Sequence, residues 1–503
     1  MKLGYLLEAI PGHDLDGDSS VEITGIAYDS RTVRDGYLFV AIKGHNQDGH
    51  IYLMEAVNRG AAALVAEGFE GLSADIPKVR VKDSRKALSG LSARFYEDPC
   101  KDIELIGVTG TNGKTTITYL IESILSATGA RPGVIGTINS RFLGDVRPSS
   151  VTTPESLDLM RTLREMADRG ATHVVMEVSS HALDQGRTGD CPFSVGVFTN
   201  LTRDHLDYHR TMEEYFEAKS RLFRGMIKDR HGRKGVAVIN MDDPKGEVLR
   251  AISKTDVLTY GLGKDCDVHA TDISTDRNGL KAAIKLPGGE IRIISSLIGS
   301  VNMYNILAAV AAARALGIDP DKIAEGISEL KSVPGRLESV TNKRGLTIIV
   351  DYSHTPDALI KAQAILRPLT AGRLITVFGC GGDRDRGKRP EMGMAAGDLS
   401  DIVFITSDNP RTENPDSIIR QIEEGIVKTM PRKLEWKEGQ EVEGTGYFIE
   451  PDRRKAIAKA VSIANEKDIV LIAGKGHEDY QIIGKEKIYF DDRHEAAAAA
   501  GNR

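Results

Sequence analysis

Cysteine is scarce in this chain. Four thiols are spread over 503 residues, at Cys100, Cys191, Cys266 and Cys380, with no C-x-x-C pair. Neither a disulfide framework nor a zinc site is suggested, and a reducing, cytoplasmic compartment fits. Long apolar runs are missing too: none approaches the ~20 residues that span a bilayer. The start, "MKLGYLLEAIPGHDLDGD", turns acidic early and reads as no signal peptide. Nor is there an excess of positive charge. With 66 Lys and Arg against 72 Asp and Glu, the net charge of -6 leaves no electrostatic footprint for nucleic acid or an anionic membrane. No short-period repeat or low-complexity tract occurs. What remains is ordinary globular composition, 41% hydrophobic and 27% charged, in a chain too long for one core, so two to four domains are expected.

The pattern along the chain is α/β. Residues 1 to about 100 read as short strands and helices ("VEITGIAYDS", "YLFVAI", "DGHIYLMEAVNRGA", "AALVAE") without a dense catalytic constellation. Residues 101 to about 335 alternate helices with the apolar strands "HVVMEV", "VGVFTN" and "GVAVIN", which predicts a parallel sheet with covering helices. The Pro-Gly of "KSVPGRLES" marks a boundary. Beyond it, "LTIIVDYSHTPDALIKA", "RLITVFGCGGDRDRGKR", "DIVFITSDNPRTENP" and "DIVLIAGKGHEDY" each run a strand into a polar loop. Open α/β sheets bind ligands at such strand ends, so a second ligand site is expected there.

The sharpest motif is "GVTGTNGKTT", between the apolar "IELI" and the helical "ITYLIESIL". Backbone N–H groups from Gly110 to Thr115 would wrap phosphate oxygens, Lys114 would reach the β/γ end, and the Thr115 hydroxyl would reach Mg²⁺. The strict G-x-x-x-x-G-K-[ST] pattern fails, because Val108 holds its first position. That variant argues against ordinary motor and GTPase lineages. Glu177 ends "HVVMEV", so its carboxylate can face the phosphate loop. "RDHLDYH" brings His205, Asp207 and His209 together, either as a site or as a solvated loop. In "TMEEYFEAKSRLFRGM", Met212, Tyr215, Phe216, Leu222, Phe223 and Met226 predict one apolar helical stripe, and Lys219 sits on it. Taken alone, Lys219 reads first as a stem that packs while its amine reaches water. The other reading is a neutral amine beside a metal site that takes up CO₂ as a carbamate.

These segments, with "TTPES", "MEVSSHALDQGR", "TNLTRDHLDYH", "YFEAKSRLF", "VNMYNILAA", "PGRLE", "VDYSHTPDAL", "FGCGGDRDRGKRP", "SDNPRTE" and "AGKGHEDYQ", resemble in order the Mur ligases of peptidoglycan synthesis. The resemblance spans nearly the whole chain. It implies three domains: a UDP-substrate domain (1–100), a central P-loop ATPase with a parallel sheet (101–335) and a Rossmann-like amino-acid domain (336–503). It implies an ATP-dependent ligase joining meso-2,6-diaminopimelate to UDP-N-acetylmuramoyl-L-alanyl-D-glutamate through an acyl phosphate, with L-lysine addition as the alternative.

The same resemblance implies catalytic roles for Lys114, Glu177, His205 and a carbamylated Lys219. Thr115, Glu177, His205 and the Lys219 carbamate would hold Mg²⁺. ATP would be met by Gly110, Thr111, Asn112, Gly113, Lys114, Thr115, Thr116, Asn302, Asn305, Arg336 and Asp351. The UDP-linked substrate would be met by Ser30, His45, Asn46, Gln47, Thr152, Thr153, Ser179, Gln185 and Arg187. The incoming amino acid falls to Arg384, Asp408, Asn409, Pro410, Arg411, Gly474 and Glu478, since guanidinium groups bind carboxylates bidentately and Glu478 can hold an ammonium. A monomer without nucleic-acid or membrane partners is expected. Folylpolyglutamate synthesis fits "HNQ" and "SSHALDQGR" poorly. A regulatory module that has lost catalysis should lack at least one of Lys114, Glu177, His205 and Lys219.

Overall fold

A computed structural model of the protein describes residues 1–44, 47–437, 439 and 442–501. Its backbone packs into two units. One comprises Met1–Thr271, Ile284–Ile291 and Tyr304–Ile327; the other comprises Asp272–Ala283, Arg292–Met303 and Ser328–Arg503.

The first unit contains two sheets. The N-terminal one has the strand order Asp14–Asp16, Lys78–Arg80, Ala61–Ala66, Tyr37–Val40, Gly25–Ala27, parallel except for its first pair. Three of its strands, Ala61–Ala66, Tyr37–Val40 and Gly25–Ala27, are apolar on both faces. Leu38, Val40, Ala63 and Val65 meet Leu88 and Leu91 of one helix, while Phe39 and Leu64 meet Leu53 and Ala56 of another. Burial on both faces explains why these segments read as continuous apolar runs. This sheet is tied to the next by Tyr28, which donates to Asp158 (2.6 Å), and by Arg85, which donates to Glu155 (2.7 Å). Residues on both sides of position 100 therefore share one packed unit.

The second sheet carries the phosphate loop. Glu104–Thr109 lies between His173–Glu177 and Val195–Phe198, parallel to both, with Val108 opposite Glu177 and Thr109 opposite Phe198. Val236–Asn240 and Asp256–Gly261 continue the parallel array on one side and Pro132–Ile135 on the other. Three strands therefore end at one level, and their loops converge there.

The segment "TMEEYFEAKSRLFRGM" is not one continuous helix. Met212–Ser220 is α-helical, capped by the Thr211 hydroxyl accepting from Glu214 N, and a π-turn, Leu222–Met226, follows. Leu222 and Phe223 are both buried, and Gly225 lies outside helical φ/ψ within the turn.

In the second unit a parallel sheet runs Thr347–Asp351, Ile469–Ala473, Leu374–Phe378, Ile402–Ile405, Gly446–Ile449, with Glu338–Ser339 antiparallel at its edge. Pro415–Ile426 shows how its helices are specified. Asn414 caps the N-terminus by accepting from Asp416 N and Ser417 N, proline occupies the first turn, and Ile418, Ile419, Ile422 and Ile426 form the buried stripe. Helices cover both faces of the sheet. This is the doubly wound arrangement that the strand-and-loop alternation predicts.

Candidate functional site

Residues 110–113 turn the Glu104–Thr109 strand into the Lys114–Ala127 helix. Gly110 has φ +143°, and a Cβ there would lie 1.8 Å from Thr199 Oγ1; at Gly113, φ +88°, it would lie 2.4 Å from Asn305 Oδ1. Only glycine fits either place. Gly110→Ala is expected to cost roughly 1–3 kcal/mol in backbone strain and to weaken nucleotide binding about tenfold or more. Thermal melting and nucleotide titration of the variant check this.

Two lysines meet at this loop. Lys114 Nζ donates to Gly110 O (2.9 Å) and Thr111 O (2.8 Å), and Lys219 Nζ donates to the same Gly110 O (2.8 Å). Lys219 is 1% exposed, so its amine does not reach water. Burial, reinforced by the charge of Lys114, holds its pKa well below the ordinary lysine range. The ring of Tyr215, one helical turn earlier, lies 4.5 Å from the amine, and its hydroxyl meets Thr111 Oγ1 at 3.1 Å.

Glu177 is also buried. Its Oε1 accepts from Thr115 Oγ1 (3.0 Å) and Thr137 N (2.9 Å), and its Oε2 from Thr137 Oγ1 (2.9 Å). A buried carboxylate beside a loop hydroxyl is a hard-oxygen donor set suited to Mg²⁺. His205, at φ 52°, leans on Asp204. Partial loss of water, with Lys114 and Lys219 nearby, holds its imidazole below the usual range against the pull of Asp204. Of the other members of its motif, Asp207 is exposed and His209 is buried with Nε2 2.9 Å from Ser180 Oγ; the His205 and His209 rings both pack against His181 (4.9 and 5.4 Å) and Tyr215 (5.9 and 5.2 Å). Among the described residues no group of three or more His, Cys, Asp and Glu has metal-binding geometry.

Next to Glu177, Thr153 Oγ1 donates to the Glu177 carbonyl (2.8 Å) and Ser179 N donates to Thr153 Oγ1 (3.0 Å). Arg187 donates to Thr153 O (2.9 Å) and to Gln185 Oε1 (2.6 and 3.0 Å), while Thr152 Oγ1 is 3.1 Å from Thr137 Oγ1. Thr152, Thr153, Ser179, Gln185 and Arg187 thus form one cluster. Ser30 is buried at the start of the Ser30–Thr32 turn, and exposed Gln47 accepts from Tyr52 at 3.4 Å. His45 and Asn46 lie outside the described residues. Among the residues expected at ATP, Asn305 stands beside Gly113 in the first unit. In the second unit, Asn302 donates to Ile298 O (2.8 Å), Asp351 accepts from Leu337 N (2.8 Å), and the Arg336 guanidinium lies 5.3 Å from the Tyr352 ring centroid.

The strand ends of the second unit gather the remaining residues, because Ile469–Ala473, Leu374–Phe378 and Ile402–Ile405 are adjacent. Arg411, at φ 51°, donates through N to Ile482 O (3.0 Å) and through Nη1 to Gly382 O (2.7 Å). A Cβ on Gly381 would stand 3.0 Å from Arg411 Nη1 and 3.7 Å from Arg384 Cγ, so both guanidinium arms border one loop. Asn409 Nδ2 donates to Glu478 Oε2 (3.1 Å), Gly474 N donates to Asp351 O (3.1 Å), and Pro410 O accepts from Glu413 N (3.1 Å). Loss of water and repulsion by Asp408 raise the Glu478 pKa; Asp408 itself, despite burial, is held low by Lys475 and Arg453.

Sequence reasoning missed several residues. Thr137, in "IGTINS", gave no signal. His181 stands inside "SSHALDQGR"; its ring packs 4.2 Å from Tyr208 and 4.9 Å from His205, and loss of water with two neighbouring histidines pushes it down to about 4. Lys475, inside "AGKGHEDY", is wholly buried.

A glycine loop between strand and helix, flanked by a buried carboxylate and a buried lysine, defines a P-loop nucleotide-binding α/β protein. Family models match along the chain: "Mur ligase family, catalytic domain" at 22–96, "Mur ligase middle domain" at 108–313 and "Mur ligase, glutamate ligase domain" at 335–476. The UDP-N-acetylmuramoyl-L-alanyl-D-glutamate–2,6-diaminopimelate ligase of Geobacter metallireducens is 48% identical over 99% of the chain and 98% of the relative. That of Geobacillus kaustophilus is 45% identical over 100% of both. A solved structure of a ligase of the same name superposes with TM-score 0.73 at 34% identity, covering 100% of this chain and 99% of that one. The MurF ligase of Thermotoga maritima in complex with ADP shares the fold, with TM-score 0.58 at 21% identity, over 90% of this chain and 94% of that one. The chain belongs to the Mur ligase family, with its three-domain α/β architecture.

Proposed function

We propose that the protein is an ATP-dependent, ADP-forming ligase that joins meso-2,6-diaminopimelate to UDP-N-acetylmuramoyl-L-alanyl-D-glutamate in peptidoglycan precursor synthesis. The observation that carries this reading is the convergence of Lys114 and Lys219 on the Gly110 carbonyl beside buried Glu177. A carboxylate does not condense with an amine at neutral pH, since its oxygen is too poor a leaving group. Transfer of a γ-phosphoryl group makes an acyl phosphate; the amine attacks, and inorganic phosphate departs. Two polyanions must approach in the first step, and Lys114 is placed to lower their repulsion.

Lys219, buried and with its pKa held well below the ordinary lysine range, is suited to add CO₂ through its free amine. Thr115, Glu177, His205 and that carbamate would hold Mg²⁺, which when bound supplies neutralisation of phosphate charge. Thr152, Thr153, Ser179, Gln185 and Arg187 would hold the muramoyl-peptide, with Ser30 and 45–47 toward the uridine. Asn302, Asn305, Arg336 and Asp351 would meet ATP. The domain division at about residues 100 and 335 is supported by the three family-model spans. A cytoplasmic location is in keeping with four free, buried cysteines, which a reducing compartment preserves.

With ATP and the UDP-muramoyl-dipeptide but no amino acid, an acyl phosphate should accumulate and be captured as a hydroxamate by hydroxylamine. Recovery of phosphate on a protein side chain instead would overturn this order of chemistry. Addition of L-lysine on the same scaffold is the second reading; the paired Arg384 and Arg411 favour the amino acid with the extra carboxylate.

A further inference from the structure

The two strand-end loops that carry Arg384 and Arg411 are stitched together by residues that have no assigned role. Arg389, 0% exposed on its side chain, lies in the first turn of the Lys388–Leu399 helix. Its Nη1 donates to Glu413 Oε2 (3.1 Å) and Gln421 Oε1 (2.8 Å), and its Nη2 donates to Glu413 Oε1 (2.8 Å) and Gly381 O (3.1 Å). Exposed Arg386 adds an ion pair to Glu413 Oε2 at 3.3 Å. A bidentate guanidinium fixes both the place and the orientation of a carboxylate. Glu413 Oε1, so held, accepts from Asp383 N (2.6 Å) in the facing loop. Asp383 returns the tie, its carboxylate accepting from Thr412 Oγ1 (2.8 and 3.0 Å) and Thr412 N (3.2 Å). Between these ties Gly382 N donates to Asn409 O (2.9 Å), and a Cβ on Gly382 would lie 1.8 Å from Pro410 O.

Arg411 is where the ties end. Its backbone is set from the other side: its N donates to Ile482 O (3.0 Å), and Gly484 N donates to its O (2.8 Å). The tip of the side chain is set by Gly382 O, which accepts from Arg411 Nη1 (2.7 Å). That carbonyl and the Asp383 N–H belong to one planar trans peptide and point in opposite directions. Glu413 therefore grips one end of the peptide plane, and the Arg411 guanidinium rests on the other.

We propose that Glu413 is a positioning residue of the amino-acid site: by holding the Asp383 N–H it orients the Gly382 carbonyl, and through that carbonyl the Arg411 guanidinium, before the ligand arrives. The proposal rests on the reading that Arg411 meets a carboxylate of diaminopimelate. Glu413 acts only through Arg411, so its contribution is the ordering cost that a prearranged side chain spares the ligand. Buried Arg389 keeps Glu413 in place, and Thr412 supports the same peptide from its exposed flank.

The test is a mutant cycle through Arg411. Steady-state kcat and KM for meso-diaminopimelate are measured, with ATP and UDP-muramoyl-dipeptide saturating, in native enzyme, Glu413→Ala, Thr412→Val, Arg411→Ala and the double variants Glu413→Ala/Arg411→Ala and Thr412→Val/Arg411→Ala. Glu413→Ala should raise the diaminopimelate KM about tenfold, the order of leaving one long side chain for the ligand to arrange, and Thr412→Val about threefold. In both single variants kcat and the KM for ATP should stay within about twofold of native. In the Arg411→Ala background both increments should shrink below about twofold, because the side chain they position is gone. A carboxylate needed only for folding would lower the melting temperature and the active fraction, hence kcat, and any effect on KM would persist without Arg411. Equal increments in the two backgrounds, or a diaminopimelate KM unmoved by Glu413→Ala, would overturn the proposal. Removing Glu413 leaves buried Arg389 without its carboxylate partner. If that variant does not fold, Thr412→Val decides, and an unchanged KM there overturns the proposal. An Arg411→Ala enzyme with the native diaminopimelate KM would instead sink the reading of the loop, an outcome separate from the comparison of backgrounds.

Discussion

Lys219→Ala is expected to lower ligation by roughly 10²–10³-fold, the loss seen when one preorganised electrostatic group is removed from a reacting centre. The native amine is 1% exposed and shares the Gly110 carbonyl with Lys114. In that place a charged ammonium is opposed twice, by burial and by a like charge, while a neutral amine can add CO₂ and become an anion of opposite sign to its neighbour. Small carboxylates such as acetate or formate fill the space that the truncated side chain leaves, so they should restore part of the variant's activity. In native enzyme, ¹³C-bicarbonate should give a carbamate resonance that the variant lacks. Lower pH should deplete it, because the amine takes a proton in place of CO₂. Full activity of Lys219→Ala without added acid would remove the carbamate from the mechanism.

Arg411→Ala is expected to raise the KM for diaminopimelate by about one to three orders of magnitude, the consequence of leaving a desolvated carboxylate without its guanidinium partner. Its backbone is pinned at φ 51° by the bond to Ile482 O, and Nη1 is anchored on Gly382 O. The arm is therefore held in place before a ligand arrives, which lowers the ordering cost of binding. The KM values for ATP and the UDP-substrate should change far less. Lysine should remain a poor substrate, since removing a carboxylate binder creates no lysine pocket. Steady-state kinetics with each substrate varied in turn decides the matter. An unchanged diaminopimelate KM would sink the assignment of this loop.

The single-sequence reading failed in places that share a cause. Lys219 on an apolar stripe read first as a stem with its amine in water. The stripe itself was legible, because helical periodicity is local. The fate of the amine was not, since it depends on a carbonyl 109 residues away. In the motif holding His205, Asp207 and His209, the short turn Leu206–His209 leaves Asp207 exposed while both histidines pack against His181 and Tyr215, neighbours that no local spacing names. The predicted single stripe is split between the helix Met212–Ser220 and the π-turn Leu222–Met226, in which Gly225 leaves helical φ/ψ.

By itself the sequence determined the α/β alternation, the phosphate loop, the strand-end loops that carry Arg384, Asn409, Arg411 and Glu478, and the resemblance that assigns them. Each is written in residues adjacent along the chain, where spacing alone sets which face or turn they occupy. Tertiary structure alone decided that Thr137 orients Glu177, that Tyr215 bridges Lys219 and the phosphate loop, and that Lys475 sits buried among Asp408, Asn409 and Glu478. Those relations arise where separate strands end at one level of a sheet. Strand order and register bring together residues that no local period connects, and burial then fixes which of their charges meet.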